Sequence, residues 1–112
     1  MGCTAVRLSH YPHAQVLHDL MDRRGLIAWA EIPFVNVFVG HPQYRENLKQ
    51  QLAELIYQYY NHPSILTWGL FNEINPGWLE NPNPMAQELN DLAKQWDDSR
   101  LTTGASNQED AL

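Results

Sequence analysis

The chain has 112 residues, enough for one modest core, and at 44% apolar and 18% charged it has the composition of a folded globular protein. A net charge of −6 with seven scattered basic residues argues against nucleic acid as a partner, because phosphate binding needs clustered Lys and Arg. A single cysteine, Cys3, excludes an internal disulfide framework and reads as a small buried thiol.

Membrane partners are not expected either. Met1–Leu8 has neither the basic start nor the long apolar run of a secretory signal. The longest apolar stretch, Gly25–Gly40, is interrupted by Glu31, Pro33 and Asn36. A soluble protein follows, with the compartment open between cytoplasm and periplasm or secretion. Four Trp and five Tyr make the chain rich in aromatics, most of them packing residues and a minority suited to stacking on sugars.

In chain order, Ala5–Leu8 is a short apolar run ending at the polar group Ser9-His10. Val16, Leu17, Leu20 and Met21 recur on one face of a 3.6-residue period, which predicts a helix over roughly His13–Arg24, with Gly25 as its left-handed stop. Leu26–Ala30 is a compact apolar strand closed by Glu31-Ile32-Pro33. Leu48, Leu52, Leu55, Ile56 and Tyr59 mark one face of a second helix from about Tyr44 to Tyr60, halted at His62-Pro63. Ile65–Phe71 is the strongest strand candidate, closed by Asn72-Glu73. Met85, Leu89, Leu92, Ala93 and Trp96 mark a third helix, and Leu101–Gly104 reads as a fourth strand.

The resulting β-α-β-α-β-α-β pattern implies a parallel sheet with right-handed crossovers. An open doubly wound sheet and part of a closed barrel both fit it. The absence of a Gly-rich phosphate loop after any strand weakens the nucleotide-binding form of the open sheet. In either architecture the carboxyl ends of the strands converge on one face. Ser9-His10-Tyr11, Glu31 and Asn72-Glu73 would meet there, with Arg7 one residue before the end of its strand. Taken singly, each has an ordinary structural reading. Glu31 reads as structural rather than catalytic, His10 as a packing residue and Arg7 as half of an ion pair. The spacings His10–His13 and His13–His18 match no metal-ligand motif, so no metal is expected, and no cofactor.

The stretches Arg7-Leu8-Ser9-His10-Tyr11-Pro12 and Asn61-His62-Pro63-Ser64-Ile65-Leu66-Thr67-Trp68-Gly69-Leu70-Phe71-Asn72-Glu73 resemble family 2 glycoside hydrolases. Gly25–Pro33 resembles the same family's barrel between those motifs, in matching order and spacing. The resemblance is nearest to β-galactosidase-type members. It implies a partial (β/α)₈ TIM barrel in which the four strands correspond to barrel strands two to five, with residues 1–112 an excerpt of a catalytic barrel domain. A complete barrel takes about 250 residues.

The activity implied is retaining hydrolysis of terminal β-glycosidic bonds by two carboxylates about 5–5.5 Å apart. Glu73 takes the place of the acid/base and Asn72 that of the residue bonding the sugar 2-hydroxyl. His10 takes the place of a sugar contact, and Arg7 that of the arginine steadying the nucleophile. Trp78, in the loop after Glu73, is placed to stack on a sugar. Ile74-Asn75-Pro76-Gly77 departs from the Ser-Gly-His-Gly of some β-galactosidases, which leaves the sugar open, with β-glucuronidase and β-mannosidase as alternatives within the family. The family nucleophile is a Glu on the seventh strand, outside the four strands here, and Glu80 and Glu109 read as exposed loop residues. The expected partners are a β-linked sugar and the remainder of the parent chain, with self-association of the excised piece through its open strand edges. Two other readings stand beside this one: a non-enzymatic carbohydrate-binding or interaction module derived from the same barrel, and an unrelated α/β domain.

Overall fold

A computed structural model describes residues 2–9, 12–37, 41–75 and 83–105. Its elements run β1 (Ala5–Leu8), α1 (Gln15–Arg24), β2 (Ile27–Glu31), β3 (Val35–Val37), α2 (Pro42–Tyr59), β4 (Ile65–Asn75), α3 (Asn83–Trp96) and β5 (Leu101–Ala105). Every strand pairing is parallel.

The pairing decides between the two architectures. β1 pairs with β2, and β2 with the first half of β4, through residues 65–69. β5 pairs with β4 through residues 67–72, so it lies on the opposite edge from β2. The short β3 pairs with Asn72 and Asn75, on the same edge as β2. β2 and β3 are therefore two pieces of one barrel strand, interrupted at Ile32-Pro33-Phe34, where proline cannot donate to a ladder. The sheet order is then the chain order. Each right-handed crossover advances one position in the same direction, which puts all the helices on one face. A doubly wound sheet instead reverses at a switch point. This is the singly wound, barrel-type arrangement.

Local signals explain the helices. Gly25 adopts φ 68°, and its N–H bonds to the Met21 carbonyl, ending α1 in a left-handed cap. Pro42 opens α2, and the His41 ring caps it by accepting from the Gln43 N–H at 3.3 Å. All five apolar positions expected on α2 are buried. Lys49 and Arg45 of α2 both pair with Glu88 of α3, at 2.6 and 3.3 Å.

Two expected faces are covered only in part. On α1, Val16 is 73% and Leu20 43% exposed, while His18 and Met21 carry the burial. That helix is buried along only part of the stripe read from its sequence. On α3, Met85, Ala86, Leu89 and Ala93 are buried. Trp96 is instead 41% exposed and lines a surface groove with Ile56, Tyr57 and Tyr60.

The two faces of the sheet differ. Leu8, Ala28, Ala30, Trp68 and Leu70 belong to the hydrophobic core. The register brings Arg7, Trp29, Thr67 and Leu101 into one row on the opposite face, and Glu31, Gly69 and Thr103 into the next. Ile27 (46% exposed) and Leu101 (60% exposed) leave the lower part of that face open. In a closed barrel this face is the interior, filled by side-chain layers from the whole ring. No helix among the described residues is long and apolar enough to cross a membrane.

Candidate active site

β4 does not stop at Phe71 as its sequence suggests but continues to Asn75 through an irregularity. Its register with β5 shifts between Gly69 and Asn72, and its register with β3 shifts between Val35 and Val37. The Asn72 N–H is held by the Phe34 carbonyl at 2.8 Å. The next residue, Glu73, has φ 47°, a left-handed conformation that few non-glycine residues adopt. Such an interruption redirects side chains that a regular strand would send to alternate faces. Asn72 is buried and Glu73 exposed.

Beside Asn72 lies a charged network. The guanidinium of Arg7 grips Glu31 as a fork, Nε donating to Oε1 at 3.2 Å and Nη2 to Oε2 at 3.1 Å. Nη2 also donates to Asn72 Oδ1 at 2.6 Å. The Arg7 guanidinium carbon lies 4.4 Å from the centroid of the Trp29 ring, so the indole backs the fork. The Glu31 side chain is fully buried, whereas Arg7 keeps 30% of its side-chain exposure. A carboxylate that deep stays charged only with a compensating cation, which Arg7 supplies.

Arg7 and Asn72 therefore meet toward the carboxyl ends of β1 and β4, with the exposed Glu73 next to Asn72 in the chain. His10 and Trp78 lie outside the described residues. Glu31 has the structural role its sequence suggests, as the counter-ion of Arg7, and the pair lies beside Asn72. The signal for it was there: a lone carboxylate closing the apolar run Ile27-Ala28-Trp29-Ala30 has to find a positive partner.

A second polar cluster lies at the other end of β4. Asp19, Asp22 and His62 bring three possible ligand atoms within 4.8 Å of one another. Hydrogen bonding already occupies much of this cluster. Asp22 Oδ2 lies 2.6 Å from His62 Nδ1, and Asp22 Oδ1 accepts the Ser64 N–H at 3.0 Å. Burial pushes the Asp22 carboxyl up, but the bonds from Ser64 and His62 outweigh it and hold the group below the usual carboxylate range. The cluster ties α1 to the entry of β4.

Residues 1–112 match the model of glycosyl hydrolases family 2, TIM barrel domain. The chain belongs to that family. A β-glucuronidase from Bacteroides fragilis is 54% identical across all of this chain, which spans 17% of that protein. A β-galactosidase from Thermoanaerobacterium thermosulfurigenes is 34% identical over 94% of the chain and 15% of its own length. The crystal structure of an FMN-binding β-glucuronidase from Facaelibacterium prausnitzii L2-6 superposes with a TM-score of 0.90 at 42% identity, covering 94% of this chain and 16% of that one. The fold is thus a portion of the glycoside hydrolase barrel, and the chain spans less than a fifth of the length of these relatives.

Proposed function

We propose that the segment supplies the acid/base carboxylate of a retaining β-glycosidase, with Glu73 in that role and Asn72 holding the sugar 2-hydroxyl. The observation that carries this reading is the pair itself: a buried, oriented Asn72 followed by an exposed Glu73 at an irregular strand end. In the first step Glu73 gives its proton to the glycosidic oxygen as the aglycone leaves. A second carboxylate, contributed by another part of the barrel, attacks the anomeric carbon. In the next step Glu73, now ionised, takes a proton from the water that releases the sugar. In this reading Arg7 faces the second carboxylate and favours its ionised form.

A terminal β-glucuronide is the substrate favoured by the relative at 54% identity, a β-glucuronidase. A terminal β-galactoside, the reading nearest to the sequence motifs, is the second. It is favoured by β-galactosidases at 33–35% identity and by a solved structure described as a putative β-galactosidase from Bacteroides fragilis, at 43%.

The test is turnover of aryl β-glucuronides and β-galactosides by a full-length enzyme carrying this segment, against its Glu73→Gln variant. General acid–base groups contribute roughly 10²–10⁴-fold, so poor leaving groups should slow by that factor and good ones by far less in the glycosylation step. An equal loss for both, or an inverted product by NMR, would rule the assignment out.

A further inference from the structure

We infer that Glu31 is a positioning residue for the glycosidic step, acting through Arg7 to fix which way the Asn72 amide faces. The inference rests on the role proposed above for Asn72. An asparagine amide presents an acceptor oxygen on one side and two N–H donors on the other. Arg7 donates to Oδ1 at 2.6 Å, which commits the oxygen to the guanidinium and leaves Nδ2–H to donate elsewhere. A flipped amide would set its N–H groups against those of Arg7, donor against donor. Arg7 therefore selects the orientation that can donate to a sugar 2-hydroxyl.

What selects the orientation of Arg7 is Glu31. Both carboxylate oxygens accept from the Nε–Nη2 edge, at 3.2 and 3.1 Å, which leaves one Nη2 hydrogen for Asn72. Because the Glu31 side chain is fully buried, it has no competing solvation to pull it aside. Trp29 fixes the plane of the guanidinium from one face. Gly69, paired with Glu31 in the register, leaves the room in which Trp29 and the Glu31 β-carbon sit. Glu31 touches no sugar in this scheme. It decides the strength of the 2-hydroxyl contact, which tightens in the oxocarbenium-like transition state.

The experiment compares matched 2-hydroxy and 2-deoxy aryl glycosides as substrates of a full-length enzyme carrying this segment. Wild type, Asn72→Ala, Glu31→Gln and Arg7→Lys are assayed, with melting curves for each. Glu31→Gln keeps the shape but loses the charge and one acceptor. Arg7→Lys keeps the charge but loses the fork, and serves where Glu31→Gln does not fold. The expected result is a drop of about tenfold in the 2-hydroxy over 2-deoxy preference in kcat, the scale of one hydrogen bond to a charged or oriented group, with 2-deoxy turnover little changed. Equal slowing of both substrates, or a wild-type preference in a variant that folds while Asn72→Ala erases it, overturns the role of Glu31. A preference that survives Asn72→Ala instead overturns the role proposed for Asn72, and the inference with it.

Discussion

Gly69 on β4 lies flush against the indole of Trp29 on β2. A β-carbon at position 69 would fall deep inside contact with Trp29 Nε1 and with the Glu31 β-carbon. Trp29 backs Arg7, and Arg7 holds Asn72, so the missing side chain of Gly69 is part of how the site is shaped. Gly69→Ala should cost about 1–3 kcal/mol, the usual range for overpacking, and should lower kcat/KM beyond what the lost stability explains. Chemical unfolding beside steady-state kinetics checks this. Unchanged kinetics in a destabilised variant would separate Gly69 from the site.

Asp97 anchors the turn between α3 and β5. It accepts from Trp68 Nε1 at 2.9 Å and from Arg100 Nη1 at 2.8 Å, and Arg100 also donates to the carbonyls of Tyr60, His62 and Ile65. Burial raises the Asp97 carboxyl, but bonds from Ser99, Arg100 and Trp68 prevail and bring it to about 2, against 3.8 in a free group. The folded value is depressed, so the stabilisation is complete above pH 3.8 and is lost as the pH falls toward 2. The depression is worth about 2 kcal/mol. Asp97→Asn should remove it, flattening the pH dependence of the unfolding free energy between pH 4 and 2. An unchanged slope there would contradict the anchor.

His18 titrates in a different window. It is buried, stacked 4.1 Å from the Tyr59 ring centroid, and neither ring nitrogen has a hydrogen-bond partner among the described residues. Burial lowers its pKa below 6.5; the charges of His62 and His13 act the same way, while Asp22 and Asp19 oppose them. Protons then bind the unfolded chain more readily, and stability is lost as the pH drops below about 6.5. His18→Phe keeps the ring and removes the titration. The gain in melting temperature over wild type should be larger at pH 5 than at pH 8. An equal change at both would place His18 outside the acid response.

Much of this architecture is legible in the sequence. The buried face of α2, the Gly25 stop and the course of β4 up to Phe71 follow from local patterns, but not its continuation through Asn72-Glu73 to Asn75. The rest depends on partners distant in sequence. Nothing local to Asn72-Glu73 reports the register shift or the left-handed φ of Glu73, because both arise where β4 meets β3 and β5. β3 is too short to show a period and is recognisable only as the continuation of β2 past Pro33. Glu31 reads as structural and Arg7 as half of an ion pair, but that they pair with each other across 24 residues shows only in the fold. Val16, Leu20 and Trp96 match a helical stripe, yet periodicity cannot tell which part of a stripe is covered.

The open inner face gives a prediction for residues 1–112 prepared alone. Ile27 and Leu101 are about half exposed there, and β1 and β5 each have an unpaired edge among the described residues. Exposed edges and apolar interior favour association. Light scattering after size exclusion should show species larger than a monomer, with a broad melt. A sharply melting monomer would contradict this.

The most direct test of the central claim is the product that Glu73→Ala forms in azide. Removing an acid/base opens a space beside the anomeric carbon and leaves the glycosyl-enzyme waiting for water activation. Azide needs no such activation and enters from the face that Glu73 served. With an aryl glycoside of good leaving ability, azide should restore turnover of the full-length variant and yield the β-glycosyl azide by NMR. An α-glycosyl azide would make Glu73 the nucleophile, and the absence of rescue, with all leaving groups slowed alike, would remove it from the chemistry.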